Sequence, residues 1–291
     1  MRPSREQVRR RRIVAAVVVV LALCVAAAAV AIAIPHTHRA AAPTTTVLPP
    51  PPKPFRIIFP EGFTRAQMAR RVRVVAGIAE RKKGRPVALG ERQYERATRV
   101  VVVPCFTPRR WTNPEGFLFP ATYDFLAKTT ARQLVQQQLL AFCRNWKQVN
   151  MSYARSKNLT PYDVLKIASL VQGEAVVESD RPKIAAVIYN RLHLRMALGI
   201  DAALRYALNI PGTESIHESQ LQNPTPFNLR LHAGLPPTPI DNPGLASIEA
   251  AAHPAHVDYL YYVAEPDKRH HFFTASASAF EQYKCAHGYG C

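Results

Sequence analysis

The chain has 291 residues, of which 48% are apolar and 20% charged, with 38 Lys and Arg against 20 Asp and Glu. This length suits one large domain or two small ones, and the apolar fraction excludes a disordered chain. Five cysteines are too few for a disulfide scaffold. The net charge of +18 has no long Lys/Arg block beyond residue 12, so its distribution does not indicate a nucleic-acid-binding protein.

An uncharged apolar run near the N-terminus is typical of a membrane-spanning helix. Residues 13–34 carry no charge and directly follow the arginines at positions 9–12. At about 1.5 Å per residue, a helix of this length crosses a hydrocarbon core of about 30 Å. Because positive flanks stay in the cytoplasm, we predict a cytoplasmic basic tail at 1–12, a single transmembrane helix at 13–34 and an extracytoplasmic remainder. A cleaved signal peptide is the alternative, although its apolar core is normally about 7–15 residues long.

Residues 35–54 are rich in proline and threonine, which favours an extended linker over a packed core. Export would place the later cysteines in an oxidising compartment, where they could pair. Those cysteines are Cys105, Cys143, Cys285 and Cys291. Free buried thiols are the alternative. No cysteine or histidine cluster has the spacing of a metal site, and we predict neither a metal nor a cofactor.

The remaining pattern predicts an α+β fold dominated by helices, with a short antiparallel sheet. A strand at 56–59 precedes a helix with Thr64 as its N-cap, and a second strand is expected at 100–103. A long helix is predicted at about 130–151. The chain is loop-rich from 196 to 239, and a helix then begins at Asn242. Strands at 259–263 and 271–273 are followed by a final helix.

The most informative helix begins at Thr160, where Asp163 completes a capping box and Pro161 suits the first helical position. Its wide apolar face predicts burial, and it ends at Glu174. A partly desolvated carboxyl there has a raised pKa and can act as a general acid. Glu178, four residues on, is expected on the same face, where its like charge raises one pKa further. Exposed carboxylates at a helix end are the alternative. Asp180 is predicted to cap the next helix.

Other polar and aromatic residues could form a cleft around Glu174, although each alone is a weak indication. Tyrosine and phenylalanine rings can stack on sugar faces, and core packing is the alternative for each; these are Tyr123, Tyr189, Phe227, Tyr261 and Tyr262. A histidine pair at 270–271 is expected to pack in a strand. The substrate-binding candidates are Glu115, Tyr123, Tyr189, Asn190, Asp201, Asn228, Gly234 and Pro236.

Several long motifs together resemble the MltG (YceG-like) family of endolytic murein transglycosylases. They are Ala-Ser-Leu-Val-Gln-Gly-Glu at 168–174, Arg-Pro-Lys-Ile-Ala-Ala-Val-Ile-Tyr-Asn-Arg-Leu at 181–192, Glu-Gly-Phe-Leu-Phe-Pro at 115–120, Gly-Leu-Pro-Pro at 234–237, Asn-Pro-Gly-Leu-Ala-Ser-Ile at 242–248, Ala-Ala-His-Pro at 251–254 and His-His-Phe-Phe at 270–273. They occur in the family's order over residues 55–284.

The resemblance implies a membrane-anchored lyase that cuts nascent peptidoglycan strands internally. It places the catalytic glutamate on Glu174, a LysM-like module at 55–104 and a YceG-like catalytic domain at 105–291. Many relatives carry Glu-x-Glu where this chain has Gln172 and Glu174, which removes the rival candidate. The first part of the module is missing, its place taken by the linker, so the resemblance leaves glycan binding by the module open.

The implied reaction needs one carboxyl, which protonates the bond between N-acetylmuramic acid (MurNAc) and N-acetylglucosamine (GlcNAc) and then receives the C6 hydroxyl proton of MurNAc. A muramidase-type hydrolase is the enzyme alternative, with Glu178 or Asp201 as its second carboxylate. An inactive, membrane-tethered wall-binding protein is the non-enzyme alternative. A pyridoxal phosphate lyase using Lys166 or Lys183 does not fit an exported domain. The expected partners are peptidoglycan strands and the cytoplasmic membrane, with peptidoglycan synthases as candidates and no nucleic acid.

Overall fold

The structure, a computed structural model, describes residues 5–32, 52–106 and 109–290. Outside this part lie most of the predicted linker, residues 1–4 of the basic tail, residues 33–34 of the apolar run and Cys291. The chain divides into two units, Met1–Pro51 and Pro52–Cys291.

The first unit contains one helix, α1 (Arg5–Ile32), which covers the arginine cluster and nearly all of the apolar run. The helical conformation predicted for this run is therefore confirmed. Within the described residues, no helix combines the length and apolar character needed to cross a membrane.

The second unit combines helices with three short two-stranded antiparallel sheets among its described residues. The strands are β1 (Phe55–Ile58), β2 (Val101–Val102), β3 (Arg110–Trp111), β4 (Thr122–Phe125), β5 (Tyr261–Ala264) and β6 (His271–Thr274). The helices are α2 (Arg65–Lys83), α3 (Glu91–Ala97), α4 (Ala131–Trp146), α5 (Ser152–Ser156), α6 (Pro161–Glu174), α7 (Arg181–His193), α8 (Asp201–Leu208), α9 (Glu218–Leu221), α10 (Leu245–Ala252) and α11 (Ala277–Ala286). The predicted α+β class is confirmed.

The first part of this unit is built around α2. Its N-cap is Thr64, whose side chain accepts from the Gln67 backbone while the Gln67 side chain accepts from that of Thr64, as a capping box requires. The predicted Thr64 cap is therefore confirmed. The strand preceding α2 pairs with β4 in the register Phe55↔Phe125 and Ile58↔Thr122. This pairing joins the segment before residue 104 to the segment after it.

The predicted long helix at about 130–151 ends earlier than expected. Helix α4 ends at Trp146 and the short α5 begins at Ser152. Between them the Asn150 side chain accepts a hydrogen bond from the backbone N–H of Ser152, at 2.9 Å. Such local side-chain bonds compete with the helical ladder, and this one lies at the start of α5.

A disulfide joins Cys105 to Cys143 in α4, with Cα atoms 5.4 Å apart. The sequence alone leaves open whether these two cysteines pair. The bond spans 38 residues, and the chain-entropy account assigns such a crosslink on the order of 4 kcal/mol of stability. Next to it, Phe106 packs edge-on against Phe117 and Trp146 at 5.0 and 5.3 Å between ring centroids. The crosslink therefore lies beside an aromatic part of the core.

Helices α6, α7 and α10 form the centre of the unit, with α6 packed against both of the others. The predicted start of α6 is confirmed, because Thr160 and Asp163 form the capping box and Pro161 occupies the first turn. Its apolar side chains are fully buried: Val164, Leu165, Ile167, Ala168, Leu170 and Val171. Burying each of the larger ones stabilises the fold by about 1.5–3 kcal/mol relative to exposure. Helix α6 is therefore a rigid base for the residue at its end.

Candidate active site

Glu174 is the last residue of α6, and its position depends on the glycine before it. Helix α6 stops there because Ala175 has an extended backbone, with ψ of 123°. A Cβ atom at Gly173 would lie only 3.1 Å from Cβ of Ala202, so the missing side chain lets the first turn of α8 approach closely. The end of one helix thus meets the beginning of another at Glu174.

The Glu174 carboxyl group is partly buried and has two hydrogen-bond donors. The Tyr262 hydroxyl donates to Oε2 at 3.1 Å, and the backbone N–H of Ala202 also donates to the carboxyl group. Burial raises the pKa of Glu174 above its ordinary value, and the nearby charge of Asp201 adds to this rise. Tyr262, His271 and the Ala202 N–H act in the opposite direction. The net raised pKa agrees with the sequence prediction and suits a general acid.

The expectation for Glu178 is wrong. Because α6 ends at Glu174, Glu178 lies outside the helix in a 3₁₀ turn over Glu178–Asp180. Its side chain is 90% exposed and lies 3.7 Å from the Arg181 guanidinium. The carboxylate that raises the pKa of Glu174 is instead Asp201, at the start of α8.

Helix α8 lies in a stretch predicted to be loop, and it brings Asp201 to the site. Arg230 binds Asp201 through two hydrogen bonds, Nε to Oδ1 at 2.7 Å and Nη2 to Oδ2 at 2.9 Å. The signal for α8 is present in the sequence, since Ile200, Ala203 and Leu204 are all buried at helical spacing. Nothing local indicated Arg230 as the partner.

The expected capping role of Asp180 is also wrong. Asp180 stands at the N-cap position of α7, but its side chain makes no capping hydrogen bond. Its Oδ2 instead accepts from the backbone N–H and Nδ1 of His271, at 2.9 and 3.0 Å. The predicted strands at 259–263 and 271–273 are confirmed as β5 and β6 with slightly shifted ends. The Asp180 carboxylate therefore binds His271, which is distant in the sequence, and does not cap α7 as the local spacing predicts.

Glu115 is a buried carboxyl that connects three parts of the unit. Its Oε1 accepts from the backbone N–H of Arg65 and from the side-chain amide of Asn242, at 2.7 and 2.8 Å. Its Oε2 accepts from the Tyr206 hydroxyl at 3.2 Å. Burial raises the pKa of Glu115 from 4.5 to about 7, against the hydrogen bonds that lower it.

We expect Glu115 to make stability depend on pH. Because the folded chain holds this proton more tightly than the unfolded chain, its contribution is complete below pH 4.5 and is lost as pH rises through about 7. Glu115→Gln should remove this loss and flatten the free energy of unfolding between pH 4.5 and 8. Urea denaturation of both proteins across this range measures the effect. A wild-type curve that rises over the interval while the variant curve stays flat would contradict the assignment.

Four of the other predicted substrate-binding residues use their polar side-chain atoms in hydrogen bonds within the protein. The Tyr123 hydroxyl donates to the Phe119 carbonyl, and the Tyr189 hydroxyl to that of Ala251. The amides of Asn190 and Asn228 donate to backbone carbonyls. Pro236 is buried, and Gly234 takes a turn conformation with φ of 98°. These contacts are structural, and binding of substrate by these residues stays a prediction.

Two of these residues line a surface cavity that does not include Glu174. Tyr189 and Asn190 line a cavity of about 550 Å³ together with Tyr153, His256 and Tyr259, and Glu174 is not part of its lining. Of the aromatic candidates, Tyr262 donates a hydrogen bond to Glu174. In the described part of the chain, no group of three or more His, Cys, Asp or Glu side chains is arranged to hold a metal ion.

The fold and the site define an α+β protein with an acid–base candidate, Glu174, at the meeting point of α6, α8 and β5. The chain belongs to the YceG-like family, whose profile matches residues 36–285. It is 35% identical over 151 residues to the endolytic murein transglycosylase of Bacillus subtilis, covering 52% of this chain and 42% of that protein. It is 39% identical over 155 residues to the endolytic murein transglycosylase of Streptococcus pneumoniae strain R6, covering 52% of this chain and 28% of that one.

A solved structure resembles this fold over most of its length. The crystal structure of the yceG-like protein lmo1499 from Listeria monocytogenes aligns with a TM-score of 0.65 and 26% identity, over 79% of this chain and 76% of that one. The chain thus spans less than half the length of the curated relatives it matches.

Proposed function

We propose that this chain is an endolytic murein transglycosylase, a lyase that cleaves the MurNAc–GlcNAc bond within peptidoglycan strands and leaves 1,6-anhydro-MurNAc ends. The observation that carries the proposal is Glu174, whose burial raises its pKa, as a proton donor requires, and whose hydrogen bond from Tyr262 holds the carboxyl group in place. The two curated relatives named for this activity support it.

The surroundings of Glu174 favour a transglycosylase over a hydrolase. A hydrolase needs a second carboxylate, about 5–9.5 Å from the first, as nucleophile or base. Asp201 is held in a two-bond ion pair with Arg230, which opposes its taking up a proton from water. Glu178 is exposed beside Arg181. Neither carboxylate is prepared to activate water, so the substrate's own hydroxyl is the nucleophile we assign.

The proposed reaction proceeds by two proton transfers at Glu174. The protonated carboxyl group gives its proton to the glycosidic oxygen while the bond from that oxygen to C1 of MurNAc breaks. The C6 hydroxyl of the same MurNAc attacks C1, and the Glu174 carboxylate accepts its proton. The products are a 1,6-anhydro-MurNAc end and a GlcNAc 4-hydroxyl, so atoms balance without water. Attack within one ring has a high effective concentration.

Digestion of peptidoglycan in ¹⁸O water tests this proposal. The new MurNAc ends should be 1,6-anhydro forms, about 18 Da lighter than reducing ends and free of ¹⁸O, because water takes no part in the cleavage. Mass spectrometry of the released fragments measures both properties. Reducing ends that carry ¹⁸O would favour the hydrolase and direct attention to Asp201. Intact strands would favour an inactive wall-binding protein.

We further propose that the uncharged run at 13–34, which extends two residues beyond α1, anchors the chain in the cytoplasmic membrane by a single pass, with residues 52–291 outside the cytoplasm. Supporting this are the uncharged run at 13–34 with its preceding arginines and the Cys105–Cys143 disulfide, since such bonds persist in oxidising compartments. In this arrangement residues 55–104 are a shortened LysM-like module, and peptidoglycan synthases supply the strands that are cut.

A reporter fusion tests this topology. A reporter that is active only in the cytoplasm, fused after Pro54, should give no signal, because the arginines retain the N-terminus inside. The same reporter fused before residue 13 is the positive control. A strong signal from the first fusion would contradict both the membrane orientation and access to peptidoglycan.

A further inference from the structure

We infer that Asp180 and His271 are positioning residues that hold the Tyr262 hydroxyl group against Glu174. This inference rests on the proposed function, because it assigns a task to residues around the same general acid. It is carried by three consecutive contacts, from Asp180 to His271, from His271 to Tyr262 and from Tyr262 to Glu174.

The first contact fixes His271 in both backbone and ring. Asp180 is buried, and its Oδ2 accepts from the His271 backbone N–H and from Nδ1. Since the carboxylate can only accept, Nδ1 carries the hydrogen. The other oxygen, Oδ1, lies 3.4 Å from Nζ of Lys183. Asp180 directly precedes α7, so His271 is tied to a rigid element 91 residues away in the chain.

The second contact follows from the register of the β5–β6 hairpin. Tyr262 pairs with Phe273, and Ala264 pairs with His271. Because side chains alternate across a strand, Tyr262, His271 and Phe273 share one face of the hairpin. The His271 and Tyr262 rings meet edge to face, 5.4 Å apart at 86°, and the Phe273 ring lies 5.9 Å from Tyr262. The tyrosine ring is therefore held on two sides.

The third contact is a hydrogen bond to one oxygen of the Glu174 carboxyl group. The Tyr262 hydroxyl donates to Oε2, so Oε2 serves as an acceptor, and Oε1 is the oxygen that we assign to carry the hydrogen of the protonated acid. After proton transfer the same hydroxyl stabilises the carboxylate, which must then receive the C6 hydroxyl proton. An ordered Tyr262 therefore holds the Glu174 carboxyl group in one orientation in both steps.

The groups that surround Glu174 determine how its pKa responds to a change at Tyr262. They are Tyr262 on β5, His271 on β6, Asp201 and the Ala202 N–H on α8, and Arg230, which binds Asp201. The hydrogen bond from Tyr262 lowers the pKa of Glu174. Removing that bond should raise the pKa, and with it the pH above which the acid form is lost.

The chain supplies a matched control one residue away. Asp267 accepts from the backbone N–H of His270 at Oδ1 and from its Nδ1 at Oδ2, at 3.0 and 2.6 Å. Asp180 binds the same two groups of His271, both at Oδ2. Both partners of this second pair are about half exposed, on the turn between β5 and β6. The two aspartate–histidine pairs differ in their surroundings, so comparing them separates a positioning effect from the loss of such a pair in general.

The experiment uses the full chain and the variants Tyr262→Phe, Asp180→Asn, their combination, and Asp267→Asn. Asp180→Asn keeps the side-chain shape and one acceptor. We expect Tyr262→Phe and Asp180→Asn each to lower kcat about tenfold with KM changed less than twofold, since the Tyr262 bond assists proton transfer rather than substrate binding. The double variant should lose no more than either single one, because both remove the same interaction. Asp267→Asn should match the wild type.

A ¹³C NMR titration of the Glu174 carboxyl group provides a readout that does not depend on cleavage. Tyr262→Phe and Asp180→Asn should both raise its pKa, and Asp267→Asn should not. The inference would be overturned if the losses in kcat multiplied in the double variant. It would also be overturned if the Asp180→Asn protein had the same kcat and Glu174 pKa as the Asp267→Asn protein. Absence of cleavage by the wild type would instead contradict the proposed function, and the titration would still decide whether Asp180 acts on Glu174.

Discussion

Glu174→Gln is expected to lower the rate of strand cleavage by about 10²–10⁴-fold while the protein stays folded. The amide has nearly the same shape and can still accept from Tyr262 at its oxygen, but it has no proton to give to the glycosidic oxygen. It also cannot receive the C6 hydroxyl proton in the second step. Release of anhydro-ended fragments from purified peptidoglycan measures the rate, and the free energy of unfolding checks the fold.

Glu178→Gln is the matched control for this experiment. Both substitutions remove one carboxylate from the same short stretch of chain, but the Glu178 side chain is 90% exposed and lies outside α6. We expect its cleavage rate to stay within about twofold of the wild type, since solvent around the exposed Glu178 carboxylate screens its 3.7 Å pair with Arg181. Near-normal cleavage by a folded Glu174→Gln protein would remove Glu174 as the acid, and a collapse in Glu178→Gln would point to it instead.

Asn242→Ala is expected to cause the largest loss of stability among the substitutions proposed for this chain, about 3 kcal/mol. The buried Asn242 side chain makes four hydrogen bonds. Its oxygen accepts from the backbone N–H groups of Gly116 and Leu118, and its amide donates to the Phe63 carbonyl and to Glu115. Alanine removes all four of these hydrogen bonds and leaves their buried partner groups without the Asn242 side chain. Urea denaturation at constant pH measures the change.

Asn145→Ala is the control for loss of an amide side chain. Asn145 is only partly buried and donates one hydrogen bond, to the carbonyl of Ala141 one helical turn earlier. Its removal should cost about 0.5 kcal/mol or less. A destabilisation by Asn242→Ala no larger than that of Asn145→Ala would show that the four buried bonds add nothing beyond their replacement by water.

The part of the site that the sequence predicted is the part encoded by neighbouring residues. The start of α6 follows from Thr160, Pro161 and Asp163, and its apolar face places Glu174 at the end of a buried helix. These signals act over three or four residues, so they can be recognised without the fold. The raised pKa of Glu174 follows from the same burial.

The predictions for Asp180 and Glu178 were wrong because the spacing of residues along the chain does not show distant partners or where a helix ends. Spacing assigned Asp180 to cap α7, whereas its carboxylate binds His271, 91 positions along the chain. Spacing also placed Glu178 beside Glu174, although the extended backbone at Ala175 ends the helix first. Hydrogen bonds to a buried donor outweigh a local cap when the fold delivers that donor in good geometry.

By itself, the sequence determined the α+β class, the principal helices, the β5–β6 hairpin and Glu174 as the candidate acid, because periodicity, caps and turn residues act locally. Only the tertiary structure decided what surrounds that acid. Three side-chain hydrogen bonds around the site join residues that lie 29, 88 and 127 positions apart: Arg230 to Asp201, Tyr262 to Glu174, and Asn242 to Glu115. Such hydrogen bonds form only when the packing of helices and strands brings the two residues close together. No local sequence pattern shows which distant residues will meet.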